Sequence, residues 1–322
     1  MIEYDQMSEQ QLEAVNRCAN LNPDNKILTI SGGAGTGKTS IGRFGYEQCE
    51  DAGHTVALAA TTGKAARRLS EATGIAAQTV HALLEFPRPG DIDPKTGNPT
   101  MQGLPSRNAA NKLGQRVVII DEASMLSKEL FMQVCDAMPQ GGYLRLIGDH
   151  NQLTPIEKNG EDQKDDYQSA FNYWRERNGI VLTQVYRQAE GSGILDNAIR
   201  VLRGHMPIQN GDFAMHATYS QRNKVCAIAG QNSIYASTFG QVILPQAKGP
   251  NGTHAYNQVL QKLLNPNPAK TTYLERYENS PFAETGLMIG IGDKVIMTKN
   301  WYIIEPNGVM NGDLGIVKDI LV

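Results

Sequence analysis

The chain has 322 residues, 40% hydrophobic and 20% charged, which excludes a disordered or fibrous protein and gives enough length for two cores. Its 30 Lys+Arg and 33 Asp+Glu give a formal charge of −3, which excludes coating of duplex nucleic acid by bulk charge but leaves room for a local basic groove. No window approaches the ~18 apolar residues of a membrane span, so no membrane partner is expected. The polar start MIEYDQMSEQQ is unlike a signal peptide, and Cys18, Cys49, Cys135 and Cys226 have neither metal-ligand nor disulfide spacing, so a cytoplasmic location is expected.

Residues 8–20 read as a helix capped by Ser8, with Gln11 three residues on as in a capping box. KILTIS (26–31) is a short β-branched run before a glycine-rich turn, and from Lys38 to about Asp51 the pattern is helical. HTVALAATT (54–62) is a buried-type strand, and a helix follows from Gly63 to about Thr73. This alternation predicts an α/β fold with a parallel sheet. Residues 86–116 interrupt it with five prolines and little periodicity, as an insert of hairpin type would. It resumes with RVVIIDEAS (116–124), a helix at about 127–137 and the strand YLRLIGD (143–149). Residues 157–168 read as a loop, and IVLTQVYRQ (180–188) as a strand. A second set begins near Gly191, with a helix at 193–204, a strand VILPQ (242–246) and a helix at 251–264. GDKVIMTKN (292–300) and GDLGIVKDI (312–320) read as short antiparallel strands around a turn at Pro306-Asn307-Gly308.

The strongest chemical signal is Gly32-Gly33-Ala34-Gly35-Thr36-Gly37-Lys38-Thr39, which fits G-x-x-x-x-G-K-[ST] between a strand and a helix. Glycines let the backbone turn its N–H groups toward phosphate oxygens, and the helix adds its positive end. Lys38 suits the β- and γ-phosphates, and the Thr39 hydroxyl suits Mg²⁺. VVIIDE (117–122) ends an apolar strand in two acids, which fits Asp121 to the Mg²⁺ shell and Glu122 to a base for the attacking water. An ordinary helix cap is the alternative for such a pair. In Gly148–Pro155 a neutral Gln152 could report on the γ-phosphate, or the segment could be a polar turn. Thr61, Thr62 and Lys64 open a helix after the second strand and, with His81, suit nucleic-acid backbone contacts, against the alternative of a solvated helix face. Arg187 ends the strand at 180–188, where an arginine could reach a γ-phosphate. Trp174 and Trp301 could stack on bases, or simply pack.

In this order the motifs resemble those of a superfamily 1 helicase, most closely the RecD-like group of superfamily 1B, and are similar to Dda-type phage helicases and the helicase parts of conjugative relaxases. Ser8–Gln11 resembles the Q motif, Gly32–Ser40 motif I, Ala60–Glu71 and Thr79–Leu84 motifs Ia and Ib. Asp121–Met125 resembles motif II, Gly148–Pro155 motif III and Leu182–Gln188 motif IV. The resemblance covers nearly the whole chain and is most specific over motifs I to III.

The resemblance implies a P-loop NTPase with RecA-like parallel-sheet domains. The first motor domain would be 1–190, with a strand-separating pin in 86–116. The second would start at 191–291, and 292–322 would open an SH3-like insert. ATP would be bound by Gln11 at the adenine and by Gly33, Ala34, Gly35, Thr36, Gly37, Lys38, Thr39 and Ser40 at the phosphates, with Mg²⁺ on Thr39 and Asp121. Lys38, Glu122, Gln152 and Arg187 would be catalytic, and Thr61, Thr62, Lys64 and His81 would touch DNA. The implied activity is ATP-dependent 5′–3′ movement on single-stranded DNA with strand separation at duplex junctions, alongside a recombination or replication partner. A nucleotide-binding accessory subunit that unwinds nothing is the alternative. No segment like motif V or VI follows residue 188, and the chain stops in a strand-like stretch at Val322, so the second motor domain is expected to be incomplete here. The chain alone is then expected to bind ATP, hydrolyse it feebly and unwind no duplex.

Overall fold

A computed structural model of the chain describes residues 3–87, 104–155, 169–184, 192–215, 241–250, 252–273, 288–298, 309 and 311–321. They fall into two compact units, Met1–Pro207 and Ile208–Val322. The expected boundary at 190/191 lies outside the described residues, as do Arg187, Trp301, Cys226, the loop at 157–168 and the turn at 306–308.

The first unit is a six-stranded sheet of β1 (Ile27–Gly32), β2 (Val56–Ala60), β3 (Ala77–Thr79), β4 (Val117–Asp121), β5 (Tyr143–Gly148) and β6 (Gly179–Leu182). The strand order is β3-β2-β4-β5-β1-β6, and every pairing is parallel. Parallel strands need crossovers, and α2 (Lys38–Asp51), α3 (Gly63–Thr73), the short turn α4 (Val80–Leu83), α5 (Lys128–Ala137) and α6 (Ala170–Asn178) lie in them, while α1 (Glu9–Ala19) precedes β1 and α7 (Gly193–Leu202) follows β6. The helices cover the sheet on both faces. Ala14, Val15, Leu28, Ile30 and Ile41 belong to one core cluster, and Val80, Val118, Ile120, Val134 and Phe171 to the other. This is the expected α/β architecture, a RecA-like sheet whose connections leave from one carboxyl edge.

Side-chain caps set the starts of α1, α3 and α5, and the first of them, Ser8, is the one the sequence predicts. The Ser8, Thr62 and Ser127 oxygens accept the N–H groups of Gln11, Ala65 and Leu130. Helix α6 has no counterpart in the sequence reading. Only Phe171 of it is buried, so its apolar stripe is too thin to read, and Ser169 caps it by accepting from Asn172 N–H at 3.3 Å. The expected strand 242–246 is not one: Ile243 is 89% exposed and Pro245 has no N–H to pair. The Gln246 carbonyl there instead accepts the Thr253 N–H at the start of the next helix.

Arg145, in the middle of β5, is completely buried. A buried guanidinium must find acceptors for its fork of donors. Here Nε donates to the Cys18 carbonyl (2.7 Å), and Nη1 and Nη2 donate to the carbonyls of Asn25 (2.8 Å) and Asn20 (3.1 Å). These acceptors include carbonyls at the end of α1, where the helix itself supplies no partner; the Asn20 carbonyl also accepts from Asn25 Nδ2 at 2.7 Å. The Cys18 thiol beside it is pushed up to about 12 by burial and belongs to the core.

Of the insert, 88–103 lies outside the described residues. Its base is closed by the Arg107–Glu85 ion pair (2.7 Å), by Arg107 N–H to Leu84 carbonyl (3.0 Å) and by Ser106 N–H to Glu85 carbonyl (3.2 Å).

The second unit contains α8 (Thr253–Leu264) and two antiparallel pairs, β7 (Thr271–Tyr273) with β8 (Met288–Gly290) and β9 (Lys294–Ile296) with β10 (Leu314–Ile316). Asp293 joins helix to strand by accepting from Asn265 Nδ2 and the Gly290 N–H, each at 2.7 Å.

Candidate nucleotide site and nucleic-acid interface

Strand β1 delivers the glycine-rich loop to the carboxyl edge, and α2 starts from it. Gly37 caps α2 with φ +85°, a left-handed conformation that costs glycine little. At Gly32 a Cβ would stand 2.5 Å from Thr36 Oγ1, so the loop closes on itself only because no side chain is there. Thr36, 2% exposed, donates its hydroxyl to the Gly33 carbonyl at 2.9 Å. Lys38 Nζ donates to the carbonyls of Gly32 (2.7 Å) and Gly33 (2.9 Å), which holds the ammonium over the loop. An ammonium has three donors, so one is left for a phosphate oxygen. Thr39 stands in the first turn of α2, and Ser40 beside it is buried. Gln11 is 1% exposed and reaches the loop's backbone: its Nε2 donates to the Thr36 carbonyl at 2.8 Å.

Strand β4 brings Asp121 and Glu122 to the same edge, in register with the end of β2 through the pair Ala60 and Asp121. Burial, with the neighbouring Glu122 charge adding to it, raises the Asp121 carboxyl to about 6, against the opposing pull of the Glu122 N–H and the Lys38 charge. Glu122 has φ +52°, which strains a residue with a side chain, and such strain gathers at working sites. Its N–H donates to Asp121 Oδ1 at 2.8 Å, and its Oε2 is buried with no hydrogen-bond partner among the described residues. A buried carboxylate oxygen without a partner fits a site built for a further donor, such as water. Asp121 and Thr39 offer oxygen donors of the kind that suit a hard cation with its waters.

The raised Asp121 carboxyl carries a stability prediction. The folded state holds this proton up to about 6, well above the ordinary carboxylate range, so the charged form costs stability that is fully felt above pH 6 and relieved as pH falls. Asp121→Asn removes that charge and keeps the acceptor for the Glu122 N–H. At pH 7 it is expected to stabilise the protein by up to about 3 kcal/mol, raising Tm at ~2–4 °C per kcal/mol, while weakening Mg²⁺-dependent nucleotide binding. Thermal melts at pH 7 and pH 5 check this: the gain in Tm should shrink at pH 5, and a lower Tm at pH 7 would contradict it.

Gln152 lies after β5, exposed, in a turn closed by its N–H to the Asp149 carbonyl at 3.1 Å. The parallel register that sets Ser31 beside Gly148 brings Ser31 Oγ to 2.7 Å from His150 Nδ1. This link ties the strand before the phosphate loop to the segment carrying Gln152. The sequence gives no sign of it, because it depends on β5 lying next to β1.

Thr61 and Thr62 follow β2, and His81 follows β3; these strands are neighbours, paired through Ala60 and Thr79. Thr62 and His81 are exposed, and Lys64 is half-buried in the first turn of α3. The Thr61 hydroxyl donates to the Glu122 carbonyl at 3.4 Å, a long bond from this group to the acid-bearing turn. The His81 ring stacks at a tilt on Phe86, centroids 4.9 Å apart, at the base of the insert.

The AAA-domain family matches residues 6–228, which takes in this whole sheet and its edge. The chain belongs to the AAA-domain family. Within it the chain is RecD-like, of the superfamily 1B helicase group. It is 32% identical over 319 residues to the ATP-dependent RecD2 DNA helicase of Deinococcus radiodurans, covering 97% of this chain and 38% of that protein. It is 26% identical over 331 residues to the RecBCD enzyme subunit RecD of Mycobacterium tuberculosis, covering 94% and 54%. It is 32% identical over 203 residues to the ATP-dependent DNA helicase dda of Enterobacteria phage T4, covering 62% and 44%. The AAA-domain chain thus spans 38% to 54% of the length of these relatives. Among solved structures, Pif1 helicase from Bacteroides in complex with ADP-AlF3 and ssDNA shares the fold, with a TM-score of 0.55 at 19% identity over 100% of this chain and 71% of that one. Nucleotide use goes with membership of the AAA-domain family. Among the described residues no helix is long and apolar enough to cross a membrane.

Proposed function

We propose that the protein is an ATP-dependent DNA helicase that moves 5′ to 3′ on single-stranded DNA and separates strands at duplex junctions. One observation carries this reading: the glycine-rich loop, the Asp121–Glu122 pair and the group Thr61, Thr62, Lys64 and His81 all leave the carboxyl edge of one parallel sheet. That edge is where open α/β sheets bind ligands. A DNA group and a phosphate group on one rigid sheet can change together when the nucleotide changes.

In this reading the backbone of Gly33, Ala34, Gly35, Thr36 and Gly37 and the first turn of α2, with Thr39 and Ser40, receive the ATP phosphates. Lys38 supplies charge to the β- and γ-phosphates. Thr39 and Asp121 hold Mg²⁺, which when bound neutralises charge developing on the phosphate oxygens. Glu122 takes the proton of the attacking water through its free buried oxygen. Gln152 senses the γ-phosphate and passes its loss through the Ser31–His150 link and the turn after β5. Arg187 completes the charge at the γ-phosphate. Such a motor works in the cytoplasm, beside recombination or replication proteins, as the RecBCD subunit among its relatives suggests. Residues 1–190 act as the first motor domain with a pin in 86–116, and 191–291 and 292–322 supply the second and its SH3-like insert.

Substituting Thr62, Lys64 and His81 together by Ala is expected to weaken single-strand binding at every sequence, because backbone contacts carry no code. Loss of one cationic phosphate contact should reduce the slope of log K against log salt by about 0.7. Fluorescence anisotropy with two unrelated oligonucleotides across a salt series reads both. Unchanged affinity and slope would return these residues to a solvated face.

A further inference from the structure

The turn that carries Gln152 is fastened at each residue before it. Gly148 ends β5 with no room for a side chain, since a Cβ there would stand 2.8 Å from the Ser124 nitrogen and 3.0 Å from the Phe171 ring. Asp149 is buried and accepts the Asn151 N–H on its carboxylate at 3.0 Å and the Gln152 N–H on its carbonyl. His150 is bound to Ser31 Oγ at 2.7 Å. Gln152 itself is exposed, so this fixed turn, and not packing of its own, sets where its amide starts.

The Ser31 hydroxyl is fully buried, and its one side-chain hydrogen bond among the described residues is the one to His150. Either tautomer of a neutral ring can make that bond, because a hydroxyl both donates and accepts. Burial, and then the Arg175 charge, hold His150 below the ordinary histidine range against the pull of Asp149, so the ring is neutral at pH 7. On its other side Ser31 is joined to Gly32, whose carbonyl accepts from Lys38 Nζ at 2.7 Å. Short connections therefore run from the Lys38 ammonium through Gly32, Ser31 and His150 to the turn that carries Gln152.

We infer that His150 is a positioning residue for γ-phosphate sensing: through Ser31 it locks the Gln152 turn to the strand that carries the phosphate loop, so that Gln152 and Lys38 keep one spacing when nucleotide binds. The inference rests on the proposed reading of Gln152 as the group that meets the γ-phosphate, and it adds a residue that itself touches no reactant.

The test compares the wild-type protein with His150→Ala, Ser31→Ala, the double variant of these two, His150→Asn and Gln152→Ala. Each is read by thermal melt, by calorimetric Kd for Mg²⁺–ATP and by single-turnover hydrolysis. His150→Ala leaves the Ser31 hydroxyl buried without a partner and should lower Tm. The double variant removes that hydroxyl and should recover Tm relative to His150→Ala. Hydrolysis should part company with stability: His150→Ala, Ser31→Ala and the double variant should lose turnover by one common factor, roughly three- to tenfold, with Kd unchanged. His150→Asn sets an amide where Nδ1 stood and should restore most of the turnover. Ser31→Ala and His150→Asn keep the test decisive even if His150→Ala does not fold. Turnover that recovers with Tm in the double variant would overturn the inference in favour of stability alone. Low turnover in His150→Asn beside wild-type turnover in Ser31→Ala would overturn it in favour of a direct contact between the ring and a reactant. If Gln152→Ala loses turnover while the His150 and Ser31 variants keep theirs, the inference falls alone. If Gln152→Ala keeps wild-type turnover, the proposed role of Gln152 falls and the inference with it.

Discussion

Lys38→Ala is expected to lower ATP turnover by on the order of 10³-fold while the protein stays folded. The side chain's hydrogen bonds go to the Gly32 and Gly33 carbonyls at the rim of the site, and it belongs to neither core cluster. Its removal exposes two carbonyls that water can satisfy, so the stability change should stay within about 1 kcal/mol. The catalytic loss is larger because no other described cation donates to the loop carbonyls, and in the transition state charge on the phosphates is greatest where that ammonium stands. Steady-state turnover beside a thermal melt separates the two effects. A folded variant with wild-type turnover would remove Lys38 from the chemistry.

Glu122→Gln is expected to keep Mg²⁺-dependent ATP binding and lose turnover by about 10²–10⁴-fold. The amide fills the same volume and tolerates the same strained backbone no worse than the acid, but it cannot accept a proton. The neighbouring Asp121→Asn should show the opposite balance, with metal affinity failing first. The structure gives the two acids different surroundings: Asp121 accepts a backbone N–H and has its carboxyl raised by burial, whereas Glu122 keeps a buried oxygen with no partner among the described residues. Calorimetric titration of Mg²⁺–ATP on each variant, paired with single-turnover hydrolysis, resolves the roles. Equal defects in metal affinity would mean that both acids serve the metal and that the base lies elsewhere.

What could be read from the sequence follows the range of the physics involved. Ser8 and Gln11 announce the start of α1, Thr62 that of α3, and the glycine-rich loop announces itself, because each signal is complete within a few residues. The parallel α/β class was legible from alternation alone. Strand order was not, and the contacts that depend on it were hidden with it: Ser31 with His150, Gln10 with Val181 and Thr183, and Gln11 with Thr36. Arg145 reads as one charge inside an apolar strand, and only the fold reveals that the end of α1 supplies its acceptors. The segment VILPQ misled because its apolar character suits a strand while Pro245 denies it a partner. Helix α6 escaped because it buries a single large side chain, Phe171.

The claim that most needs testing is the coupling of the phosphate loop to DNA through one sheet edge. ATP hydrolysis by the protein, measured with and without a single-stranded oligonucleotide under otherwise identical conditions, addresses it directly. The account predicts a rate that rises with oligonucleotide and saturates, and that loses this rise in the Thr62, Lys64 and His81 triple substitution while the basal rate remains. A hydrolysis rate indifferent to single-stranded DNA would contradict the account and leave a nucleotide-binding subunit that does not move on DNA.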